Sequence, residues 1–259
     1  MKNERIPQIM YLLSAQGFVN VKELANRLDV SMETIRRDLS GLEEAGIITK
    51  IHGGAVASPK RAIELAYKNR KNLLMEEKYE IARLTSELID DGDTVIITSG
   101  TTTLALAEFL LKKTGLTVIT NSILLSAELA GSSSMTIYSL GGKVRNGNFS
   151  LSGAIAMQSI NIFSADKLIL SVGGITSEQG LTDYEMDESM LVRACMDSAD
   201  SVIAIADHSK FGIVAKYKVC PVKRVRHLVT STLTPASILD QFGKMGVQIH
   251  AAPMEKDGE

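Results

Sequence analysis

Between residues 94 and 252 the chain repeats one pattern: a short β-branched apolar run, then a helical stretch or a glycine-rich turn. The runs are TVIIT, LTVIT, MTIYSL, KLILSVGG, SVIAIAD, VRHLVTS and VQIHAA. Helical spacing marks the segments that follow the first two, TTLALAEFLLKK and SILLSAELA. Strands that are apolar throughout are buried on both faces, and parallel pairing needs crossover connections of this kind. The pattern predicts an α/β domain, a mostly parallel sheet with helices on both faces. In such a sheet a ligand sits outside the carboxyl ends of the strands. The residues at those ends are therefore read together.

The first run opens into SGTTT. Gly100 lets the backbone approach a ligand, and free amides at a helix start favour an anion. The hydroxyls of Ser99, Thr101, Thr102 and Thr103 add donors. The second run ends at Asn121, and the third in Gly141, Gly142, Lys143 and Arg145. Later runs end in Gly173 and Gly174, and in Asp207 and Lys210. Each piece alone is an ordinary cap or turn. Together they offer donors and cations for a phosphate, and a carboxylate and an amide for hydroxyls, the mixture that suits a small phosphorylated polyol.

Other classes find less support. Neither G-x-x-x-x-G-K-[ST] nor G-x-G-x-x-G occurs. No His or Cys group has metal-ligand spacing, so neither a metal nor a cofactor is expected. Cys195 and Cys220 are the only cysteines and lie outside any C-x-x-C, which reads as free thiols in a cytosolic protein. Cys195 is taken as a helix-face residue. No apolar run nears the roughly 20 residues of a membrane span. The N-terminus is too polar for a signal peptide. A cytoplasmic chain with no membrane partner is the expectation.

The first sixty residues have a different pattern. Ile6, Ile9, Met10 and Leu13 fall on one helical stripe, and Val21, Leu24, Ala25 and Leu28 on a second. Between them QGFVN breaks the helix, and Asn20 with Glu23 forms a capping box. After the tight turn LDVS, Ser31 caps a third helix. Two short helices joined by such a turn make a helix-turn-helix unit. With Ile35, Leu39 and Leu42 inward, Glu33, Arg37 and Ser40 point outward, Thr34 and Arg36 lie on the flanks, and Asp38 sits near the buried edge. The outward face thus presents guanidinium and hydroxyl donors on the helix's N-terminal half, the half with which recognition helices meet base edges and phosphates. IITKIHGGAVA then reads as a small hairpin, a wing, with Lys50 and His52 on its rim. Lys50 is a candidate phosphate contact. His52 is either a wing contact or an exposed bystander. Net charge is −2 for the whole chain, and residues 1–60 carry eight basic residues against seven acidic, so placement rather than overall charge points to nucleic acid.

The stretch S-x-x-T-I-R-R-D-L at Ser31–Leu39, followed by L-x-x-x-G-x-I-x-K-x-H-G-G-A, resembles the N-terminus of the DeoR family of bacterial transcriptional regulators. The C-terminal stretches SGTTT, TNS, LGG, the G-L-T ending at Thr182, and DHSKFG resemble that family's effector domain, which is similar to ribose-5-phosphate isomerase and glucosamine-phosphate isomerase folds. The resemblance covers nearly the whole chain. It implies that Ser99–Thr103 hold an effector phosphate and that Asp207 and Lys210 line the same pocket. The family commonly has Asp where this chain has Thr98.

Three segments are expected: a winged helix-turn-helix at 1–57, a linker at 58–75 and an effector-sensing α/β domain at 76–259. Pro59 ends the wing region. The basic residues Arg61, Lys68, Arg70 and Lys71 read either as an exposed linker or as a segment near DNA. From Glu76 a helix is expected with Ile81, Leu84 and Leu88 inward. The function implied is a DNA-binding transcriptional regulator of sugar metabolism genes, a repressor by expectation and not an enzyme. It would act as a homo-oligomer, a dimer or tetramer, on double-stranded operator DNA under control of a phosphorylated sugar. The alternative is a sugar-phosphate isomerase with a DNA-binding head, whose candidate acids and bases are Glu178, Asp183, Glu185, Asp187 and Glu188.

Overall fold

The computed structural model describes residues 5–6, 8–9, 12–13, 18–44, 48–57, 64 and 66–254. The expectations for Met10, Pro59 and Arg61 lie outside them. Arg5, Ile6, Gln8, Ile9, Leu12 and Leu13 are helical. They are followed by β1 (Phe18–Asn20), α1 (Val21–Arg27), α2 (Met32–Glu44), β2 (Ile48–Ile51) and β3 (Gly54–Ala57). Asn20 caps α1 as its residue type suggests, its Oδ1 accepting from the amides of Lys22 at 2.8 Å and Glu23 at 3.3 Å. The helix ends with Asp29 left-handed at φ 48° and the Val30 amide bonded to the Ala25 carbonyl at 3.0 Å, which satisfies an orphan carbonyl. Ser31 then caps α2 through the Thr34 amide at 3.2 Å. Ile9, Leu13, Leu24, Ile35, Leu39 and Ile48 close one core.

Where the sequence suggested only a break, β1 is a strand. It pairs antiparallel with β3, giving the order β1-β3-β2. Three residues are too few to display alternation, so the signal was absent. Gly54 permits this pairing, because a Cβ there would lie 2.1 Å from the Val19 carbonyl oxygen.

Next come α3 (Tyr67–Asn72), α4 (Met75–Ser86), β4 (Thr94–Ile97), α5 (Thr101–Leu104), α6 (Ala107–Leu110), β5 (Thr117–Thr120) and α7 (Ile123–Leu129). They lead to β6 (Thr136–Ser139), the hairpin of β7 (Lys143–Arg145) and β8 (Ser150–Ser152), α8 (Ala154–Ile160) and β9 (Ala165–Ser171). β10 (Gly174–Thr176), β11 (Gly180–Asp183), α9 (Met186–Asp197), β12 (Ala199–Ile205) and β13 (Tyr217–Cys220) follow. The last elements are β14 (His227–Ser231), α10 (Ala236–Lys244) and β15 (Gln248–Ala252).

All seven apolar runs are strands of one parallel sheet, ordered β15-β14-β12-β9-β4-β5-β6. Successive residues serve opposite faces. Val95 and Ile97 pack with Ile81, Leu106, Leu110 and Leu125. Ile96 packs with Ile160, Leu191 and Phe242 on the other side. Helices therefore cover both faces, as expected. β5 and β6 extend from one side of β4 while β9 and the later strands extend from the other. The reversal places a switch point between the carboxyl ends of β4 and β9, where such sheets open a crevice.

One local expectation is corrected. TTLALAEFLLKK is not one helix but the two four-residue pieces α5 and α6, joined through the Leu106 amide bonded to the Thr103 carbonyl at 3.2 Å. Three successive β-branched threonines are poor helix formers, and the Thr103 hydroxyl turns back onto the Gly100 carbonyl at 3.1 Å. In α4 Ile81 is buried and Leu84 and Leu88, half-buried, pack against the same core, inward as expected, while Glu77, Lys78, Ala82, Thr85 and Ser86 are buried as well. β10, β11 and β13 form a small antiparallel sheet too short to be read from periodicity. Among the described residues no helix is long and apolar enough to cross a membrane.

Candidate functional site

The outward face of α2 is built as its spacing predicts. Ile35, Leu39 and Leu42 are buried, while Ser31, Glu33, Arg36 and Arg37 are exposed and Thr34 and Ser40 half-buried. Arg37 has no hydrogen bond or ion pair among the described residues. Arg36 is 3.5 Å from Glu33, both exposed. Ser40 is less available than its position suggests. Its hydroxyl donates to the Arg36 carbonyl at 2.9 Å and accepts from Lys50 Nζ at 3.0 Å. Lys50 also receives Glu43, whose Oε1 accepts from the Lys50 amide at 2.9 Å. The wing is thereby tied to α2. His52 and Gly53 form the two-residue turn between β2 and β3, both exposed, with Gly53 at φ 80°. Asp38 is buried at 2% exposure, deeper than the edge position read from the sequence, and pairs with Arg5 Nε at 2.5 Å. It orients an arginine of the first helix rather than one of its own.

At the carboxyl ends of the large sheet the predicted residues come together in sequence of contact. The Ser99 amide donates to Asn121 Oδ1 at 2.8 Å, and Asn121 Nδ2 donates to the Leu151 carbonyl at 3.0 Å. Gly100 lies against β9, since a Cβ there would fall 2.6 Å from Ser171 Cβ. Thr98 is buried, its Oγ1 accepting from the Ser171 amide at 3.3 Å. Asn121 and Thr103 are thus committed to the frame. Ser99 and Thr101 remain half-exposed, and Thr102 is buried. Gly142 sits at φ 125°, where a Cβ would meet the Ser152 carbonyl oxygen at 2.5 Å. Gly141 is exposed beside it, and Gly173 is half-buried against Tyr184. Asp207 is buried and accepts from the Ser209 amide at 3.1 Å and the Ser209 hydroxyl. Burial alone would raise its pKa, but Lys210, Lys78 and the Ser209 hydroxyl outweigh it and hold the carboxyl below its usual range. Lys210 is half-buried with no ion pair or hydrogen bond from its side chain among the described residues.

Two residues of α4 that sequence reasoning did not assign complete this end of the sheet. Glu77 is 2% exposed and accepts from the His208 amide at 2.8 Å, from His208 Nδ1 at 2.8 Å and from the Ser231 hydroxyl at 2.6 Å. Burial lowers the His208 pKa, but Glu77 and then Asp207 raise it above its ordinary value. Lys78 is 5% exposed, and burial pushes its ammonium down to about 8. Both charges lie at i and i+4 from the apolar Ile81 and Ala82. That spacing was the available signal.

Arg145 is engaged by carboxylates. It pairs with Glu64, with Glu188 at 2.7 Å and with Glu185 at 3.5 Å. Glu64 also pairs with Arg70 at 2.8 Å, and Arg70 donates to Asn148. Tyr67 is buried edge-on against Phe149, with ring centroids 5.8 Å apart. The basic connector residues therefore divide: Lys68 and Lys71 are exposed, while Arg70 turns inward onto the β7–β8 hairpin. Burial first, then Glu188, pushes the Asp183 carboxyl up to about 7. Cys195 and Cys220 are buried, and burial raises their thiols to about 12 and about 11.

Comparison with known proteins matches both segments. A DeoR-like helix-turn-helix domain corresponds to residues 5–61 and a DeoR C terminal sensor domain to residues 74–232. HTH-type transcriptional repressor CsqR of Escherichia coli (strain K12) is 34% identical over 95% of this chain and 94% of its own. The glycerol-3-phosphate regulon repressor of the same organism is 32% identical over 96% of this chain and 98% of its own. Ribose 5 phosphate isomerase A from Neisseria gonorrhoeae aligns over 54% of each chain at 16% identity, with a TM-score of 0.40. With both domain types matched in order and full-length relatives above 30% identity, the chain belongs to the DeoR family of helix-turn-helix transcriptional regulators.

Proposed function

We propose that this regulator is a repressor of sugar metabolism genes that grips operator DNA with α2 and the wing and lets go when a phosphorylated sugar enters the switch-point crevice. The observation that carries the reading is a pair of uncommitted cations in one chain. Arg37 stands exposed on a capped helix, and Lys210 stands half-buried beside Asp207 at the strand ends. On DNA, Arg37 reads a base edge or a phosphate, Arg36, Ser31 and Thr34 assist, and Lys50 and His52 approach the backbone. In the crevice Lys210 and the hydroxyls of Ser99, Thr101 and Thr102 meet the phosphate, and Asp207 accepts sugar hydroxyls. Gly100, Gly141, Gly142 and Gly173 allow close backbone approach, with Thr103 and Asn121 as frame. Arg145, paired with three carboxylates, holds the connector instead. An operator with two half-sites requires at least a dimer. The test is an operator-binding titration repeated with a panel of sugar phosphates. A panel that binds nowhere, in a protein that still binds DNA, would sink the reading.

A second reading, an isomerase carrying a DNA-binding head, draws on Asp183. A carboxyl titrating at about 7 has the basicity that proton abstraction needs. Against it, Glu188 is already engaged by Arg145, Asn148 and Ser150, and Glu178 is exposed beside Ser177. An aldose–ketose turnover assay separates the two, and the regulator reading expects no turnover.

A further inference from the structure

A strained turn joins the connector to the sensor domain. Leu74, between α3 and α4, is left-handed at φ 55° and ψ 39°. A side chain there crowds the following carbonyl, so such residues are uncommon outside glycine and asparagine and persist only where surroundings hold them. One buried side chain bridges this turn. Lys78 Nζ donates to the Leu73 carbonyl at 2.6 Å and to the Arg70 carbonyl, both at the end of α3. Its amide also donates to the Leu74 carbonyl at 3.0 Å. The same ammonium lies in the field of Asp207, Lys210, Arg70 and Glu77. It faces the proposed effector crevice on one side and the connector on the other.

We propose that Lys78 is the switch between them: with the crevice empty its ammonium clamps the strained Leu74 turn, and an incoming phosphate draws it off the connector carbonyls. This rests on the effector site proposed above and names how that site is coupled to the head. Two neutral carbonyls offer the ammonium only their dipoles, whereas a phosphate adds the attraction of an opposite charge. In that field three cations, Lys78, Lys210 and Arg70, stand against two carboxylates, Asp207 and Glu77, a surplus of one positive charge that a phosphate can use. Burial has already pushed the Lys78 ammonium down to about 8, so its charged form gains from an anion. Once Lys78 leaves, the Leu74 turn relaxes and the end of α3 loses one of its ties, the others being Tyr67 on Phe149 and Arg70 on Glu64 and Asn148. Ligand occupancy then shifts the connector between two arrangements, as coupling between sites requires.

The experiment is amide hydrogen exchange on the full chain, read over Asn69, Arg70 and Leu73, with and without saturating inorganic phosphate. Wild type is expected to exchange at least about tenfold faster with phosphate. Lys78→Met, which keeps the length and apolar stem, is expected to exchange fast without phosphate and to ignore it. Leu74→Gly, which removes the left-handed penalty while keeping Lys78, is expected to slow the same amides several-fold and serves if Lys78→Met does not fold. Slow exchange in a folded Lys78→Met, or unchanged exchange in Leu74→Gly, overturns the switch. Calorimetry keeps the two readings apart. Absence of any bound phosphate or sugar phosphate defeats the effector site, whereas the exchange rates of the two ligand-free variants still decide the clamp.

Discussion

Arg37→Ala isolates the DNA-reading face, because the side chain it removes does nothing else. Arg37 is exposed and makes no ion pair or hydrogen bond among the described residues. Truncating it should change unfolding free energy by no more than about 0.5 kcal/mol, as surface substitutions do. On DNA a bidentate arginine–guanine contact contributes about 1–3 kcal/mol. An operator engaging two heads loses that twice, about 2–6 kcal/mol, a weakening of about 30-fold to more than 10,000-fold. If Arg37 meets a phosphate instead, affinity falls evenly across sequences and the salt slope drops by about one per head. Arg36→Ala provides the internal contrast. Arg36 already shares Glu33 at 3.5 Å on an exposed face, a pair worth only about 0.3–0.5 kcal/mol, so releasing it costs little and its own contact is expected to be the smaller one. The assay is fluorescence anisotropy with a duplex selected from a random library by the wild-type protein, across a salt series, alongside thermal denaturation. Affinity within twofold of wild type together with an unchanged salt slope would refute the role assigned to α2.

Lys210→Ala and Thr102→Val should leave operator affinity within about twofold and abolish the response to sugar phosphate, read by the same anisotropy assay with ligand added. Glu77→Gln should destabilise the sensor domain by about 1–3 kcal/mol, since the Ser231 hydroxyl and the His208 amide lose a charged acceptor. Its pH dependence has a definite sign. The His208 pKa is raised in the folded state, so the added stabilisation is fully present below the ordinary histidine value of about 6.5 and is lost as pH rises through the raised one. Urea unfolding should therefore show the wild-type excess over Glu77→Gln shrinking as pH rises above the ordinary histidine value of about 6.5. Gly54→Ala should destabilise the head by about 1–3 kcal/mol or more, because its Cβ would meet the Val19 carbonyl oxygen at 2.1 Å and force β1 away from β3.

The large sheet could be read from sequence because all of its strands are parallel and the central ones are buried on both faces. Val95–Ile97, Leu168–Leu170 and Val202–Ile205 have no polar residue to blur the pattern. The helix faces of the head were equally plain, since Ile35, Leu39 and Leu42 repeat at helical spacing. What escaped was short or carried by charge. β1 and β10 have three residues each, below any period. Arg145 was placed by its position after a strand, but its guanidinium follows charge rather than topology, and the three carboxylates of Glu64, Glu185 and Glu188 could not be seen to converge. Glu77 and Lys78 were missed because buried charges are rare, although their i, i+4 register with Ile81 and Ala82 marked them. Thr98 stands where the family commonly has Asp, and its hydroxyl is spent on the Ser171 amide.

Operator affinity measured as a function of sugar-phosphate concentration tests the link between crevice and head most directly. A coupling of 1–3 kcal/mol is typical of such links, so at least one phosphorylated sugar should weaken DNA binding by about 5- to 150-fold, and operator DNA should weaken binding of that sugar by the same factor. A sugar phosphate that binds the strand-end crevice and leaves operator affinity unchanged would contradict it.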